Sequence, residues 1–267
     1  MRRKILFFDI DGTLIDRRLG VPEIPEEVLA KMRWLQEQGH KLLISSGRPK
    51  RFIEAYQNIG FDGFILSNGG YVEIDGRSVY ENRMEYEHAK AVADLLDELQ
   101  LEYMIETADQ IYIRSEFQTL YGFFAAIGRG HVFTFDFDRD EVLHRTLKIE
   151  CNCTEKEVEQ IRTTVSRLFS FELGTDRHGT EHDFEIFPTT VSKATGVQKV
   201  LDYYGAEQTD TYAFGDGLND REMFQFCQVS VAMGNGEEAL KELATLICPP
   251  IQERGLVRAL DALFPDH

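Results

Sequence analysis

Positive charge is scarce in this sequence: 29 Lys and Arg stand against 46 Asp and Glu among 267 residues, a formal net charge of −17. That balance argues against nonspecific binding to nucleic acid or to an anionic membrane surface, both of which reward clustered cations. Long apolar runs are missing as well, and none approaches the roughly 20 residues that cross a bilayer. Met1-Arg2-Arg3-Lys4 precedes an apolar stretch that lasts only from Ile5 to Phe8, too short for the hydrophobic region of a secretory signal. Cysteine is confined to Cys151, Cys153, Cys227 and Cys248. Cys151 and Cys153 share one face of a predicted strand, where a disulfide is awkward, and no Cys-x-x-Cys pair offers a zinc site. Buried free thiols in a reducing cytoplasm are the expectation. What is abundant is apolar residues, 43% of the chain, enough for a large core and, at this length, two domains.

The first segment alternates strand and helix. Ile5 to Phe8 reads as a buried parallel strand that breaks into Asp9-Ile10-Asp11-Gly12-Thr13. Pro25-Glu26-Glu27 opens an amphipathic helix through Gln38, with Gly39 as its stop. Lys41 to Ser45 is a second strand, ending in Ser46-Gly47-Arg48-Pro49, and Pro49 is expected to open a second helix. Phe64 to Leu66 is a third strand running into Ser67-Asn68-Gly69-Gly70, and Tyr71 to Tyr80 alternates around Asp75-Gly76, a hairpin signal. From about Glu85 the rhythm changes. A helix (Ala89 to Leu99), strands at Glu102 to Glu106 and Gln110 to Arg114, a helix near Phe117 to Ile127 and a strand from Thr146 to Cys153 follow. Thr154 with Glu157 forms a capping-box pattern for a long helix. Strands at Phe169 to Leu173 and Asp183 to Phe187 flank a polar turn at Asp176 to Thr180. This strand-rich stretch reads as an α+β insert. After Pro188 the alternation returns, with a helix from Lys193 to Tyr204, strands at Thr211 to Phe214, Val229 to Met233 and Leu246-Ile247, and a helix from about Glu253 to Leu263.

Four segments of chemical interest fall at strand ends or helix starts. Asp9 and Asp11 follow a buried strand, where open α/β sheets place their ligands. Two carboxylates that close repel unless a cation sits between them or one keeps its proton, which points to Mg²⁺ and acid/base chemistry. The hydroxyl of Ser46 and the amides that follow suit a phosphate oxygen, although a serine here also serves as a plain helix cap. Lys193 follows Ser192 at a helix N-terminus, where most lysines are simply solvated. Gly215-Asp216-Gly217-Leu218-Asn219-Asp220 sets two carboxylates and an amide around a glycine turn, and Asp9 with Asp216 matches the oxygen ligands that Mg²⁺ takes. Both aspartate motifs arise together by chance in about one chain in a hundred thousand at average residue usage.

These residues, in this order, resemble the haloacid dehalogenase superfamily of phosphotransferases. The separation of Ser46 from Lys193 by an α+β insert is similar to the Cof-type branch with its C2B cap, and Asn68-Gly69-Gly70 resembles the Asn-Gly turn of that branch. The resemblance implies a Rossmann-like α/β core with a parallel sheet, residues 1–83 and 187–267, and an inserted α+β cap, residues 84–186, that selects the leaving group, with hinges near Asn82 to Glu85 and near Pro188. It implies a Mg²⁺-dependent phosphatase in which Asp9 is the nucleophile and Asp11 the general acid and then base. Ser46, Gly47, Lys193 and Asn219 contact the substrate phosphate. Asp9, Asp11 through its main-chain carbonyl, Asp216, Asn219 and Asp220 form the metal set, with Asp220 acting from behind the direct ligands. Ser46 stands where many members have Thr, and Ser45 beside it leaves a minor ambiguity.

The implied substrate is a small phosphorylated metabolite, a sugar phosphate or phosphorylated cofactor, with no nucleic acid, membrane or obligate protein partner. Two rivals are a sugar phosphomutase or phosphotransferase on the same core, and a catalytically silent phosphometabolite-binding protein, against which the intact Asp9, Asp11, Lys193 and Asp216 count. Within the insert, Arg177-His178 and Glu181-His182-Asp183 read either as a solvated hairpin turn or as a cluster placing His182 or Asp183 over substrate hydroxyls. Phe133, Phe135 and Phe137 alternate, as an apolar strand face does, or as the lining of a flat-ring pocket would.

Overall fold

The computed structural model describes residues 3–165, 169–176 and 181–265. By contact the chain falls into two compact units: Met1–Gly47, Asn58–Tyr80 and Ser192–His267 form one, Arg48–Gln57 and Glu81–Val191 the other.

The first unit is built on an eight-stranded sheet. Its spatial order is Leu246–Ile247, Val229–Ala232, Thr211–Gly215, Ile5–Phe8, Lys41–Ser45, Gly63–Leu66, Tyr71–Ile74 and Arg77–Glu81. The first six are parallel, and Tyr71–Ile74 runs antiparallel to Gly63–Leu66. Asp75 and Gly76 both take the left-handed backbone (φ 50° and 72°) that two-residue hairpins require. The Ile5–Phe8 strand is apolar throughout because both of its faces are covered. Ile5 and Phe7 join a core with Val197, Val200 and Leu201 of the helix Lys193–Tyr204, whereas Phe8 stacks on Phe214 at 4.8 Å. The helix Glu26–Glu37 buries Val28, Met32 and Leu35, the i, i+4, i+7 stripe of a surface helix. Each such side chain contributes about 1.5–3 kcal/mol on burial.

The second unit carries a six-stranded sheet in the order Phe169–Asp176, Glu181–Pro188, Lys148–Thr154, Tyr103–Glu106, Ile111–Ile113 and Phe133–Thr134. All neighbours are antiparallel except the last pair. Ile149, Cys151 and Cys153 share a core with Val92 and Leu96 of the helix Tyr86–Glu98 and with Val158 and Ile161 of Glu155–Val165. All four cysteines are buried and free. Half of the predicted capping box forms: the Glu157 carboxylate accepts from the amide (2.7 Å) and hydroxyl (2.8 Å) of Thr154.

One expected helix is absent. After Pro49 the chain makes two short 3-10 turns, Lys50–Phe52 and Glu54–Tyr56, broken at Ile53. Too few residues stand before Gly60 to offset the cost of nucleating an α-helix, and the side chains are drawn elsewhere. Phe52 packs on Phe124 (5.2 Å between ring centroids) and Phe133 (6.2 Å), with Arg129 over its ring.

Phe133 and Phe135 pack into the apolar cluster of Met104, Ile111, Leu120 and Phe124, and Phe137 lies 5.1 Å from Tyr112. Phe133 is buried there, and Phe135 and Phe137 are half-buried against apolar neighbours. Met1, Arg2 and residues 177–180, including Arg177 and His178, lie outside the described residues. No helix among the described residues is long and apolar enough to cross a membrane.

Candidate active site

Three neighbouring parallel strands end at one edge of the first unit's sheet, with Phe8 paired to both Ile44 and Phe214. Their C-terminal continuations, Asp9, Ser46 and Asp216, therefore emerge side by side, where open α/β sheets hold ligands. Backbone pairing fixes the exits: the Asp9 amide donates to the Phe214 carbonyl (3.0 Å) and the Ser46 amide to that of Ile65 (2.9 Å). Ser46 is buried, as is Ser45, the last residue of its strand.

Lys193 is the centre of the arrangement. Ser192 caps its helix by accepting from the Thr195 amide at 3.3 Å, and this start directs Lys193 inward, where only 1% of it is exposed. Its Nζ donates to Asp220 Oδ1 (2.6 Å), Asp9 Oδ1 (2.7 Å) and Asn219 Oδ1 (3.4 Å). Burial of an ammonium is costly without partners. It works to lower the pKa of Lys193, and the carboxylates of Asp220 and Asp9 outweigh it and hold the group above the usual lysine range. The other oxygen of Asp220, Oδ2, accepts from the amides of Asp216 (3.0 Å) and Gly217 (3.3 Å). Asp220 is thus a bracket between the lysine and the glycine turn.

Asp216 is held from the first motif. Thr13 Oγ1 donates to its Oδ1 at 3.0 Å. Gly12 takes a left-handed backbone (φ +84°), and a Cβ there would stand 2.0 Å from Asp216 Oδ2, so only glycine admits this approach. Carboxylate oxygens of Asp9, Asp216 and Asp220 all lie within 4.8 Å of one another. Three acids face one ammonium, and the imbalance shows in the protonation of Asp9 and Asp216. Burial, then repulsion from Asp220 and Asp11, pushes Asp9 up to about 7 against the pull of Lys193. Burial with repulsion from Asp9 and Asp220 pushes Asp216 up to about 8. An oxygen-lined, over-negative cluster of this kind fits a hard divalent cation. With both Asp220 oxygens taken, Asp9 and Asp216 are the carboxylates that could hold it.

The structure thus brings Asp9, Asp216, Asn219, Asp220 and Lys193 together through direct contacts. Ser46 and Gly47 stand at the adjacent strand end. Asp11 is exposed on the following turn, near enough to act on Asp9 electrostatically. In the second unit, Asp183 pairs in register with Asn152.

Two residues escaped the sequence reading. Asn235 donates from Nδ2 to the Gly12 carbonyl (2.8 Å) while its Oδ1 accepts from the Ile251 amide (2.8 Å). Glu237 accepts from the Leu218 amide (3.2 Å) and donates its own amide to the Asp216 carbonyl (2.8 Å). The signal was present, since Gly234-Asn235-Gly236-Glu237 follows an apolar strand just as Gly215-Asp216-Gly217 does.

Known proteins resemble this chain along nearly all of its length. The family described as haloacid dehalogenase-like hydrolase matches residues 6–260. YkrA of Bacillus subtilis strain 168, named provisionally as a phosphatase, is 30% identical across 98% of both chains. From the same organism, the 5-amino-6-(5-phospho-D-ribitylamino)uracil phosphatase YitU is 28% identical across 97% of both. Among solved structures, the HAD subclass IIB sugar phosphatase BT4131 superposes with a TM-score of 0.80 at 25% identity, over 97% of this chain and 98% of its own.

Proposed function

This chain belongs to the haloacid dehalogenase-like hydrolases, and on that premise we propose that it is a Mg²⁺-dependent phosphatase of small phosphorylated metabolites, with Asp9 as nucleophile. The observation that carries the reading is the buried Asp9–Lys193–Asp220 chain of ion pairs beside Asp216. A nucleophilic carboxylate must be held and aimed. Lys193 engages one oxygen of Asp9, which leaves the other to attack phosphorus.

The ester oxygen departs as the phosphorus–oxygen bond breaks, taking a proton from Asp11, and an aspartyl-phosphate remains on Asp9. Asp11, now a base, takes a proton from water; the water oxygen bonds to phosphorus and frees Asp9 with inorganic phosphate. The exposed position of Asp11 suits a group that exchanges protons with leaving group and water. Lys193, the Ser46 hydroxyl and the Gly47 amide hold the phosphoryl oxygens, where charge stabilisation accounts for most of such catalysis. Asp9, Asp216 and the main-chain carbonyl of Asp11 would hold Mg²⁺, with Asn219 on the metal or the phosphate and Asp220 behind them. When bound, the ion offsets the excess negative charge and orients phosphate oxygens.

The names of YitU and BT4131 support a phosphorylated ribitylaminouracil or a sugar phosphate as substrate. We assign choice of leaving group to the inserted unit. The test is phosphate release from p-nitrophenyl phosphate with Mg²⁺ or EDTA, by wild type and Asp9→Asn. Release that needs both Mg²⁺ and Asp9, with a loss of at least about 10³-fold in the variant, is expected. Turnover by Asp9→Asn near the wild-type rate would remove the nucleophile assignment. Diversion of phosphoryl to added sugar acceptors would favour a mutase.

A further inference from the structure

The turn after the Gly63–Leu66 strand has an unusual backbone. Ser67 (φ 47°), Asn68 (φ 56°) and Gly69 (φ 102°) are successive residues with positive φ, a conformation that non-glycine residues adopt rarely and hold only where surrounding structure enforces it. Ser67 and Asn68 are each 2% exposed, so nothing about the turn is adapted to solvent. What encloses it are the two segments assigned to the phosphoryl group. The Asn68 amide donates to the Ser46 carbonyl at 3.2 Å. The Asn68 side chain lies against Gly47, where a Cβ would stand 2.7 Å from Asn68 Oδ1. One residue on, a Cβ on Gly69 would stand 2.0 Å from the Ser192 carbonyl and 3.3 Å from the Lys193 amide. The turn is therefore wedged between the Ser46–Gly47 exit and the start of the Lys193 helix.

We propose that Asn68 is a positioning residue for phosphoryl transfer: its buried side chain, packed on Gly47, sets the direction of the Ser46 hydroxyl and the Gly47 amide relative to Lys193. The strained backbone is the cost of bringing an amide side chain to that point, since a glycine at 68 would adopt the turn more readily. This inference rests on the phosphatase reading above.

Asn68→Gly is the informative variant, because it keeps the left-handed turn and removes only the side chain. We expect kcat for p-nitrophenyl phosphate to fall by about tenfold or more, as small misplacements at a reacting centre do, while KM and the thermal midpoint hold. On a Ser46→Ala background the same change should cost less than it does in the wild type, because the part acting through the Ser46 hydroxyl is then already gone. Asn68→Gly turnover within about twofold of wild type, or its full loss retained on the Ser46→Ala background, would overturn the proposal and leave the phosphatase reading standing. If wild type releases no phosphate from p-nitrophenyl phosphate or from sugar phosphates, the phosphatase reading falls. Amide exchange at residues 44–47 then decides separately: faster exchange in Asn68→Gly retains the positioning role, and unchanged exchange removes it.

Discussion

Lys193 touches Asp220 at 2.6 Å and Asp9 at 2.7 Å, and all three side chains are buried. Lys193→Met removes the ammonium and leaves both carboxylates buried without compensation. Breaking a buried pair in this way costs about 3–5 kcal/mol, so urea unfolding should shift by that order and phosphate release should fall by at least about 10²-fold. Lys193→Arg keeps the charge, but a planar fork does not replace a compact ammonium, so its stability should recover more than its activity. A Met variant as stable as wild type would contradict the pairing. At this scale the sequence was only partly legible. Asp9 and Asp11 announce themselves by spacing, whereas the burial of Lys193 depends on two aspartates 184 and 27 residues away. Thr13 holds Asp216 through one hydrogen bond, and Asn235 and Glu237 make two each; the glycine turn marks Asn235 and Glu237, but no local pattern encodes their partners.

The Lys148–Thr154 strand shows how an element can satisfy two faces. Ile149, Cys151 and Cys153 enter the apolar core, while Lys148 and Glu150 alternate to the other face. There Lys148 Nζ lies 3.2 Å from Glu106 Oε1 and 3.8 Å from Glu150 Oε2, and it also pairs with Glu185. Burial, opposed by Lys148 and reinforced by Glu150 and Glu185, pushes Glu106 up to about 8 from the ordinary 4.5. The folded state thus holds a proton that the unfolded chain releases. Stability from this group is complete below the ordinary glutamate value and is lost as pH rises through about 8. Glu106→Gln should flatten that decline, read as the urea midpoint across this range in EDTA. An unchanged slope would mean that Glu106 does not titrate there.

Elements were far more legible than such clusters. Alternation and caps mark the Glu26–Glu37 and Lys193–Tyr204 helices and the Asp75-Gly76 hairpin within a residue or two of where they stand. The Pro49 helix failed because a proline start says nothing about how far a helix continues, and Phe52 is claimed by the aromatic cluster with Phe124 and Phe133.

For the molecule as a whole, six parallel strands make the site possible. They carry residues from positions 9, 46 and 216 to one edge, and the order of the motifs along the chain made that edge readable before any contact was known. The family match over residues 6–260 agrees with that reading. Leaving-group preference was not legible, since the insert to which we assign it carries no motif.

The central claim is that Asp9 becomes covalently phosphorylated. The most direct measurement is peptide mass mapping after rapid quench of Asp11→Asn with p-nitrophenyl phosphate and Mg²⁺. That leaving group departs without an acid, whereas hydrolysis of the intermediate needs the base that the variant lacks. One added phosphoryl group is expected on the peptide carrying Asp9, absent when EDTA replaces Mg²⁺ and absent in Asp9→Asn. Phosphate release from Asp11→Asn with no phosphoryl group on Asp9 at any quench time would contradict it.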